Sequence, residues 1–270
     1  MLHLTLKQAP AIPLELDGIT PDRLRQCTVT EVAKLQIFHG SRQVELGEFF
    51  DVSGDPTAGE IWIHGDCSRI KLLGAKMTSG RMIIDGNAGW HAGAGMVGGE
   101  LLIRGNAGDW IGAEMRGGVI RVEGNAGNQL GAAYRGSRHG MRGGVIHVRG
   151  NVGDEAGLLM RRGMIVVGGR VGDFAGASMI AGTLVAFGGA GRALGAGMKR
   201  GTLVVDGKLP ELSPGFCYSC DYRPAYLGVL LQELRQLKCE PAEALATKNL
   251  RCYRGDAVHG SNGELWVCSR

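Results

Sequence analysis

The chain has 270 residues, of which 47 are glycine and only 8 are proline, and its formal net charge is +4. An excess of glycine without proline or serine excludes collagen-like and flexible-linker sequences, and this small positive charge does not predict a nucleic-acid-binding protein. No apolar run is long enough to cross a bilayer, so no membrane span is expected.

Residues 1–58 precede a repetitive region, and we predict that they form an N-terminal cap over one open end of it. Residues 20–26 carry Pro and Asp where a helix would start, and Thr28 and Glu31 have the spacing of a capping box. Residues 44–52 are predicted to be extended and to lead into the first repeat.

Residues 59–207 hold about seven copies of the unit G-x-I-x-V-x-G-N-A-G-x-x-x-G-A-x-M-x-x. Successive units begin 19 residues apart, except for a first interval of 21 and one interval of 26, which contains an insertion within residues 132–141. The first half alternates apolar and variable residues, which predicts a strand with one buried face. The second half has no 3.6-residue period and is rich in glycine, which disfavours a helix.

A unit this short cannot bury its own apolar face, but stacked copies can. We therefore predict an all-β fold, a right-handed parallel β-helix of about seven 19-residue coils with small helical caps at both ends. A leucine-rich repeat would need the pattern L-x-x-L-x-L, and a left-handed hexapeptide β-helix would need a period divisible by six.

Equivalent residues should stack on one another inside such a fold, and an Asn corner should be left-handed and bonded to the next coil. The predicted inward strand pairs are Met82/Ile84, Leu101/Ile103, Ile120/Val122, Ile146/Val148, Ile165/Val167, Leu184/Ala186 and Leu203/Val205. The recurring methionines are Met77, Met96, Met115, Met141, Met160, Met179 and Met198. The corner asparagines are Asn87, Asn106, Asn125 and Asn151.

Residues 208–270 are predicted to form a C-terminal cap. Leu227, Leu230, Leu231 and Leu234 recur at helical spacing, which predicts a helix over residues 224–237 that plugs the end of the core. Residues 263–269, GELWVCS, are predicted to return as a final strand.

The glycine loops superficially resemble phosphate-binding loops, but those occur once, between a strand and a helix. Here the loop recurs in almost every copy, so we interpret it as structural. No nucleophile elbow, Ser/His/Asp arrangement or regularly spaced acid pair is present, and we assign no catalytic residue.

The seven cysteines are scattered, and the N-terminal residues lack the charged-then-apolar pattern of a secretion signal. We therefore expect reduced thiols and a cytoplasmic protein. Cys217 and Cys220 form a single C-x-x-C, and a closed zinc site would need a second tight pair. We predict no metal site.

A row of residues should face outward from the strands, and most of its members are aliphatic. Either the chain's own terminal segments cover this row, or it binds a partner chain, since exposed apolar patches usually mark interfaces. The row comprises Ile83, Leu102, Arg121, His147, Val166, Val185 and Val204. The candidate interface residues are Ile83, Leu102, Val166, Val185 and Val204, together with Tyr134 in the insertion.

Basic residues recur near the end of each coil, and the insertion adds more. Stacking should join them into a basic stripe, which is either a solvated face or a site for an acidic partner or a polyanionic ligand. The basic stripe comprises Arg116, Arg135, Arg138, Arg142, Arg161, Arg162, Lys199 and Arg200.

The repeated unit resembles the glycine-repeat β-helix shared by the C-terminal domain of glutamate synthase and the C subunit of formylmethanofuran dehydrogenase. TPDRL, VELGEFFDVSGD and the closing YRGDAVHGSNGELWV resemble the second family, over nearly the whole chain. The resemblance implies a non-catalytic structural subunit of a larger enzyme, in a hetero-oligomer with no nucleic-acid or membrane partner.

Two assemblies in that family are open to this chain. The bacterial formyltransferase/hydrolase complex moves a formyl group from formyl-tetrahydromethanopterin to methanofuran and releases formate. The resemblance implies amidohydrolase-like A, B and formyltransferase D chains as partners, zinc on a partner subunit, and methanofuran and tetrahydromethanopterin as cofactors of the complex. The archaeal dehydrogenase instead carries a molybdenum or tungsten pterin on another subunit, and the excess of Arg over Lys makes us favour the bacterial complex.

A third alternative is a stand-alone β-helix enzyme that processes acyl groups or sugars. It would need clustered carboxylates, whereas Asp85, Glu100 and Glu123 are expected in different strand rows. The glutamate tail of methanofurans, which the resemblance implies, would suit the basic stripe.

Overall fold

A computed structural model describes residues 1–210, 212–239 and 242–268, and the chain is built mostly of β-sheet with short helices near both ends. The strands are β1 Leu2–Leu6, β2 Leu14–Glu15, β3 Gln36–His39, β4 Arg42–Glu45, β5 Phe50–Gly54, β6 Glu60–His64, β7 Ile70–Lys71, β8 Arg81–Ile84, β9 Glu100–Ile103, β10 Val119–Val122, β11 Arg142–Val148, β12 Arg162–Val167, β13 Thr183–Ala186, β14 Gly201–Val205, β15 Cys217–Asp221, β16 Leu250–Gly255 and β17 Gly263–Cys268. The helices are α1 Pro21–Leu24, α2 Val29–Ala33, α3 Leu46–Phe49, α4 Tyr226–Gln236 and α5 Ala242–Thr247, with single 3₁₀ turns at Pro56–Ala58 and Ala257–His259.

One large sheet runs the length of the molecule in the order β15-β16-β17-β14-β13-β12-β11-β10-β9-β8-β6-β1-β5. Its strands from β6 to β14 are parallel, and equivalent repeat positions pair, as Leu101 does with Ile120. The sheet is mixed, because β5 joins β1 and β15 joins β16 in antiparallel pairs at the two edges, and β16 is also antiparallel to β17. A second sheet, β4-β3-β2-β7, joins three strands of the N-terminal region to β7 in the first repeat.

The repeats also pair along a second line, at small residues three or four positions after each strand, four of which follow a corner Asn. Isolated parallel bridges connect Cys67, Ala88, Ala107, Ala126, Val152 and Val171 in succession. Between the two lines lies the interior, in which the predicted inward strand pairs and all seven recurring methionines are buried. The predicted burial of these residues is therefore confirmed, and the strand positions pair with their equivalents in the neighbouring repeats.

Each corner asparagine bonds to the next repeat, as predicted. The side-chain Oδ1 of Asn87 accepts a hydrogen bond of 2.8 Å from the backbone N–H of Asn106, and the contact recurs from repeat to repeat. The left-handed conformation predicted for these asparagines is wrong, because positive φ falls later in the coil, at residues such as His91 and Trp110. An Oδ1 acceptor serves the next coil at ordinary φ, so the asparagine does not need the left-handed region.

The glycine that opens a repeat is required where φ is positive and the backbones of two coils approach closely. At Gly118 φ is +87°, and an added Cβ would lie 2.7 Å from Met96 Cε and 2.8 Å from the carbonyl oxygen of Gly99. Any other residue would therefore be strained both by its own backbone and by the preceding coil.

The N-terminal region contains the predicted helix starts. Helix α1 begins at Pro21, and the capping box at α2 is formed by Thr28 and Glu31. The extended segment predicted over residues 44–52 is wrong in its centre, where Leu46 is buried and helix α3 forms with its N–H bonded to the carbonyl of Leu35 at 2.8 Å. Strand β5 then runs antiparallel to β1, and the 3₁₀ turn Pro56–Ala58 connects it to β6, the strand of the first repeat.

Helix α4 lies against the outer face of the large sheet. Its four leucines, Leu227, Leu230, Leu231 and Leu234, are buried in a second core with the valines of β12, β13 and β14. The predicted plugging of the core end by this helix is therefore wrong, because its apolar stripe matches the aliphatic row of the sheet. The last repeat is instead covered by Phe216 and by β17, the predicted final strand, of which Ser269 lies outside the described residues.

Candidate functional site

The glycine loops use their backbone donors within the fold. In the loop of residues 104–108, Gly105 donates to Gly86 O at 3.0 Å, Ala107 to Asn125 O at 2.8 Å and Gly108 to Ala88 O at 3.0 Å. A phosphate-binding loop needs such N–H groups directed at the ligand. These groups bond to the neighbouring coils, which agrees with the structural interpretation.

Most of the basic stripe lies along one line of the coils. Arg116, Arg142, Arg161 and Lys199 each follow a core methionine and donate their backbone N–H to the methionine of the preceding coil at 2.7 to 2.8 Å. Neighbouring strands of a sheet lie about 4.8 Å apart, and the three arginines occupy equivalent places in successive repeats. Ile180 occupies the equivalent place before Lys199 and interrupts the charge.

The remaining members of the basic stripe flank this line. Arg162 pairs in register with Arg142, and Arg135 and Arg138 lie in the insertion. The guanidinium Nη1 of Arg161 lies 3.3 Å from Nε2 of His139, which joins the insertion to the stripe. Arg142 is half-buried and the other seven are exposed, and none of the eight forms an ion pair with a carboxylate of the described residues.

Tyr134 is half-buried in an aromatic cluster with His91 and Trp110. Its hydroxyl lies 2.9 Å from Nδ1 of His91, and its ring stacks on Trp110 with 5.0 Å between centroids. Burial, and secondly the charge of Glu114, raise the pKa of Tyr134 to about 12. His91 and Trp110 occupy the same phase of adjacent repeats, which is the signal in the sequence that would have predicted their contact.

A cavity of about 430 Å³ opens beside this cluster. Arg116 and Tyr134 both line it, so the structure brings together two residues that the sequence suggested separately. Lys76 adds a second cation, and Val97 belongs to a largely apolar wall. The carboxylate of Glu114 also lines the cavity, and Lys76 is paired with Asp17 at 3.2 Å. The cavity can therefore hold an apolar group beside Arg116, at the end of the basic stripe.

Some residues of the outward row are covered by α4, and others remain accessible to solvent. Val166, Val185 and Val204 are buried beneath α4, so the alternative in which a terminal segment covers the row holds for these three. Ile83 is also buried, and Leu102 is half-buried. The three valines therefore offer no surface to a partner chain.

Charged residues surround a second cavity of about 290 Å³, where the outward row emerges from beneath the C-terminal end of α4. Glu100 lies 3.2 Å from Nε of Arg81 and 3.3 Å from Nε of Arg121, and Arg121 Nη1 donates to the carbonyl of Leu237 at 3.0 Å. Glu123 lies 3.4 Å from Arg149. Both carboxylates are thus engaged by arginines, and they do not form the acid pair that glycoside hydrolysis uses.

A chain of three polar side chains lies on the outer face near β1. His3 Nδ1 lies 3.0 Å from His64 Nε2, and His64 Nδ1 lies 2.7 Å from Asp85 Oδ2. The two imidazole planes are within 5° of each other, which suits a linear hydrogen bond. Sequence spacing does not predict this contact between the two histidines. His3 is 61 residues from His64 and contacts it only because β1 pairs with β6.

Cys217 and Cys220 are both exposed on β15. In the part of the chain that the structure describes, no group of three or more His, Cys, Asp or Glu side chains could hold a metal ion. No helix among the described residues is long and apolar enough to cross a membrane.

Comparison with solved structures finds a full-length match. A chain of the formyltransferase/hydrolase complex from Methylorubrum extorquens, crystallised in complex with methylofuran, superposes with a TM-score of 0.92 at 34% sequence identity. The match covers 99% of this chain and 100% of that one.

Comparison with curated proteins finds shorter matches. The C subunit of the tungsten-containing formylmethanofuran dehydrogenase 2 of Methanothermobacter wolfeii is 41% identical over 94 residues, which are 33% of this chain and 35% of that protein. The C subunit of the molybdenum-containing formylmethanofuran dehydrogenase 1 of Methanosarcina barkeri is 44% identical over 89 residues, 32% of this chain and 30% of that protein. The aligned region thus spans about a third of these curated relatives, and no protein-family model matches the chain.

Proposed function

Because this chain belongs to the family of formylmethanofuran dehydrogenase C subunits, we propose that it is a non-catalytic structural subunit of a formyltransferase/hydrolase complex. The observation that carries this proposal is the full-length superposition, at 34% identity, on a chain of such a complex. The complex moves a formyl group from formyl-tetrahydromethanopterin to a methanofuran and releases formate. The chemistry is carried by amidohydrolase-like and formyltransferase partner chains, with zinc on a partner subunit.

The archaeal-type dehydrogenase is the second candidate, and the curated relatives favour it. Their similarity is confined to about a third of each chain, whereas the bacterial complex is matched from end to end. We therefore place the bacterial complex first. A stand-alone acyl- or sugar-processing enzyme has less support, since Glu100 and Glu123 are both engaged by arginines.

We infer that the repeats wind as a right-handed parallel β-helix in a cytoplasmic protein. Two features support a parallel β-helix: the parallel pairing of strands one repeat apart, and the second line of parallel bridges. The 19-residue period, which is not divisible by six, favours the right-handed form. Each repeat then forms one coil whose apolar residues stack on their equivalents in the next. The described cysteines, all free, suit a reducing compartment.

We propose that the basic stripe binds the glutamate tail of a methanofuran. Guanidinium groups bind carboxylates well, and stacked arginines one coil apart suit a chain of repeated negative charges. The support is the absence of ion pairs from the eight stripe residues to described carboxylates, together with the methylofuran in the matched solved complex. A partner chain is proposed to lie over Leu102, the half-buried member of the outward row.

Isolation from the native cell tests the subunit proposal. The chain is tagged at its chromosomal locus, purified under mild conditions and analysed by mass spectrometry and size-exclusion chromatography. We expect it to elute with larger amidohydrolase-like and formyltransferase-like chains and to have no hydrolase activity when separated from them. Recovery as a monomer that hydrolyses a formyl donor would overturn the proposal.

A further inference from the structure

The 290 Å³ cavity beside α4 has a surplus of positive charge. Four cationic side chains line it, Arg81, Arg121, Arg149 and Lys238, against the two carboxylates Glu100 and Glu123. Four minus two leaves a formal charge of +2 on the described lining residues. Lys238 follows α4 and is exposed; its backbone N–H donates to the carbonyl of Arg235 at 2.9 Å, and its ammonium group has no partner among the described residues.

His147 forms part of the cavity wall and is only 6% exposed. No described residue forms a hydrogen bond with its ring. Burial, followed by the charges of Arg121 and Arg149, lowers the pKa of His147 to about 4. The ring is therefore neutral near pH 7, and one of its nitrogens carries a hydrogen that can be donated into the cavity.

These features together select the ligand by charge and size. The imidazole of His147 lines the cavity and has no described hydrogen-bond partner, so its N–H is available to an acceptor that enters the cavity. The surplus of +2 favours an anion over a cation or a neutral molecule. The volume of about 290 Å³ lies at the small end of the range of about 300 to 1,000 Å³ that ligand pockets span, which favours a small ligand.

We propose that this cavity is a binding site for a small oxyanion with two negative charges, of the phosphate or short dicarboxylate class. Lys238 contacts the anion from the open side, His147 donates from the wall, and Arg121 supplies the guanidinium N–H groups that Glu100 and Leu237 do not use. Every described lining residue belongs to this chain, and Leu102, over which a partner chain is proposed to lie, is one of them. The site is therefore tested on the purified chain, in which no partner covers it.

Titration of the purified full-length chain with inorganic phosphate and, separately, with succinate tests the proposal. The His147 imidazole resonances are followed by two-dimensional ¹⁵N NMR at constant ionic strength, in a buffer without other oxyanions. At least one of the two dianions is expected to shift them in a saturable way and to raise the pH at which the ring titrates. Acetate, with one charge, should bind about 10-fold more weakly or worse. The two arms distinguish phosphate from dicarboxylate as the preferred class.

Matched variants locate the site. Lys238→Met should weaken binding about 10-fold, whereas Lys208→Met, which removes the same charge from an exposed position outside the cavity, should leave it unchanged. If neither dianion shifts the His147 resonances at tens of millimolar, or if the two variants lose affinity equally, the proposal is wrong. Both outcomes are readable without the partner chains, so they do not bear on the subunit proposal.

Discussion

His64 Nδ1 lies 2.7 Å from Asp85 Oδ2, and this contact joins the ends of two neighbouring parallel strands. Arg104 lies 2.7 Å from the other oxygen of the same carboxylate. Partial burial alone would raise the pKa of Asp85, but the neighbouring indole of Trp62, the imidazole of His64 and the charge of Arg104 together lower it below its usual value. The carboxylate is thus stabilised in its ionised form.

Asp85→Asn should therefore destabilise the protein in a pH-dependent way. A depressed carboxyl pKa gives stability that is present above the unfolded value near 4 and is lost as the pH falls through the folded value. We expect a loss of about 1 kcal/mol at neutral pH, measured by urea unfolding, and a shrinking difference from wild type below pH ~4. Asp51→Asn is the control, because the Asp51 side chain is 74% exposed in a 3.5 Å pair with Lys7. Equal losses in both variants would contradict the expectation.

His147 should make stability fall in mildly acidic solution. Its folded pKa is about 4, while the unfolded value is near 6.5. Between these values the unfolded state binds more protons, so stability is complete above pH ~6.5 and decreases towards pH ~4, by roughly 2 to 3 kcal/mol.

Urea unfolding across this range, in buffer without phosphate, measures the slope for wild type and for His147→Gln. The variant should lose most of this slope, whereas His259→Gln at the exposed 3₁₀ turn should keep it. An unchanged slope in His147→Gln would assign the pH dependence to other groups.

Met115 is one of the seven buried methionines that recur in the repeats. It is fully buried in the main core, so Met115→Ala should cost about 2 to 5 kcal/mol of unfolding free energy, as other large-to-small core substitutions do. Val97→Ala, at a side chain that is 48% exposed, should cost well under 1 kcal/mol. Chemical denaturation of both variants checks the contrast, which would fail if the methionine row were only loosely packed.

A comparison of Gly118 with Gly136 distinguishes the cost of steric crowding from the cost of a left-handed backbone conformation. Gly118 and Gly136 have similar φ values of +87° and +84°, but an added Cβ meets the preceding coil at Gly118 and nothing within 4 Å at Gly136. Gly136→Ala should cost about 1 kcal/mol, the cost of the left-handed conformation. Gly118→Ala should cost several times more, because the carbonyl of Gly99 cannot move without disturbing its own coil. Similar melting temperatures for the two variants would contradict this.

The basic stripe should bind polyanions through charges that lack partners among the described residues. Arg161→Ala with Arg162→Ala should weaken binding of an oligoglutamate probe about 10-fold or more and reduce the dependence of binding on salt. Arg170→Ala with Arg192→Ala removes the same charge from exposed positions, one of which, Arg192, is paired with Asp173. Calorimetric titration compares the two double variants, and equal affinities would exclude the stripe as the site.

The interior was predictable because its signal repeats. Each buried position recurs in about seven repeats, so its apolar character is evident from the sequence. The burial of Met82, Met96 and their equivalents could therefore be predicted without knowing how the chain's ends fold. The candidate binding surfaces and polar clusters were less predictable, since each depends on contacts that occur only once in the chain. His3 reaches His64 only after β1 has joined the repeats as an extra parallel strand, and the valines were covered by a helix whose destination the sequence did not specify.

The insertion before β11 lengthens one coil by seven residues, yet Ile120 and Ile146 pair in the same register as their equivalents elsewhere. The number of repeats therefore sets how far the parallel part of the large sheet extends, and the added loop residues do not change it. The parallel strands from β6 to β14 make seven steps of about 4.8 Å, or roughly 34 Å. In a relative with one more repeat, the two ends of this sheet would be about 5 Å further apart, and so would any partner chains bound at those ends.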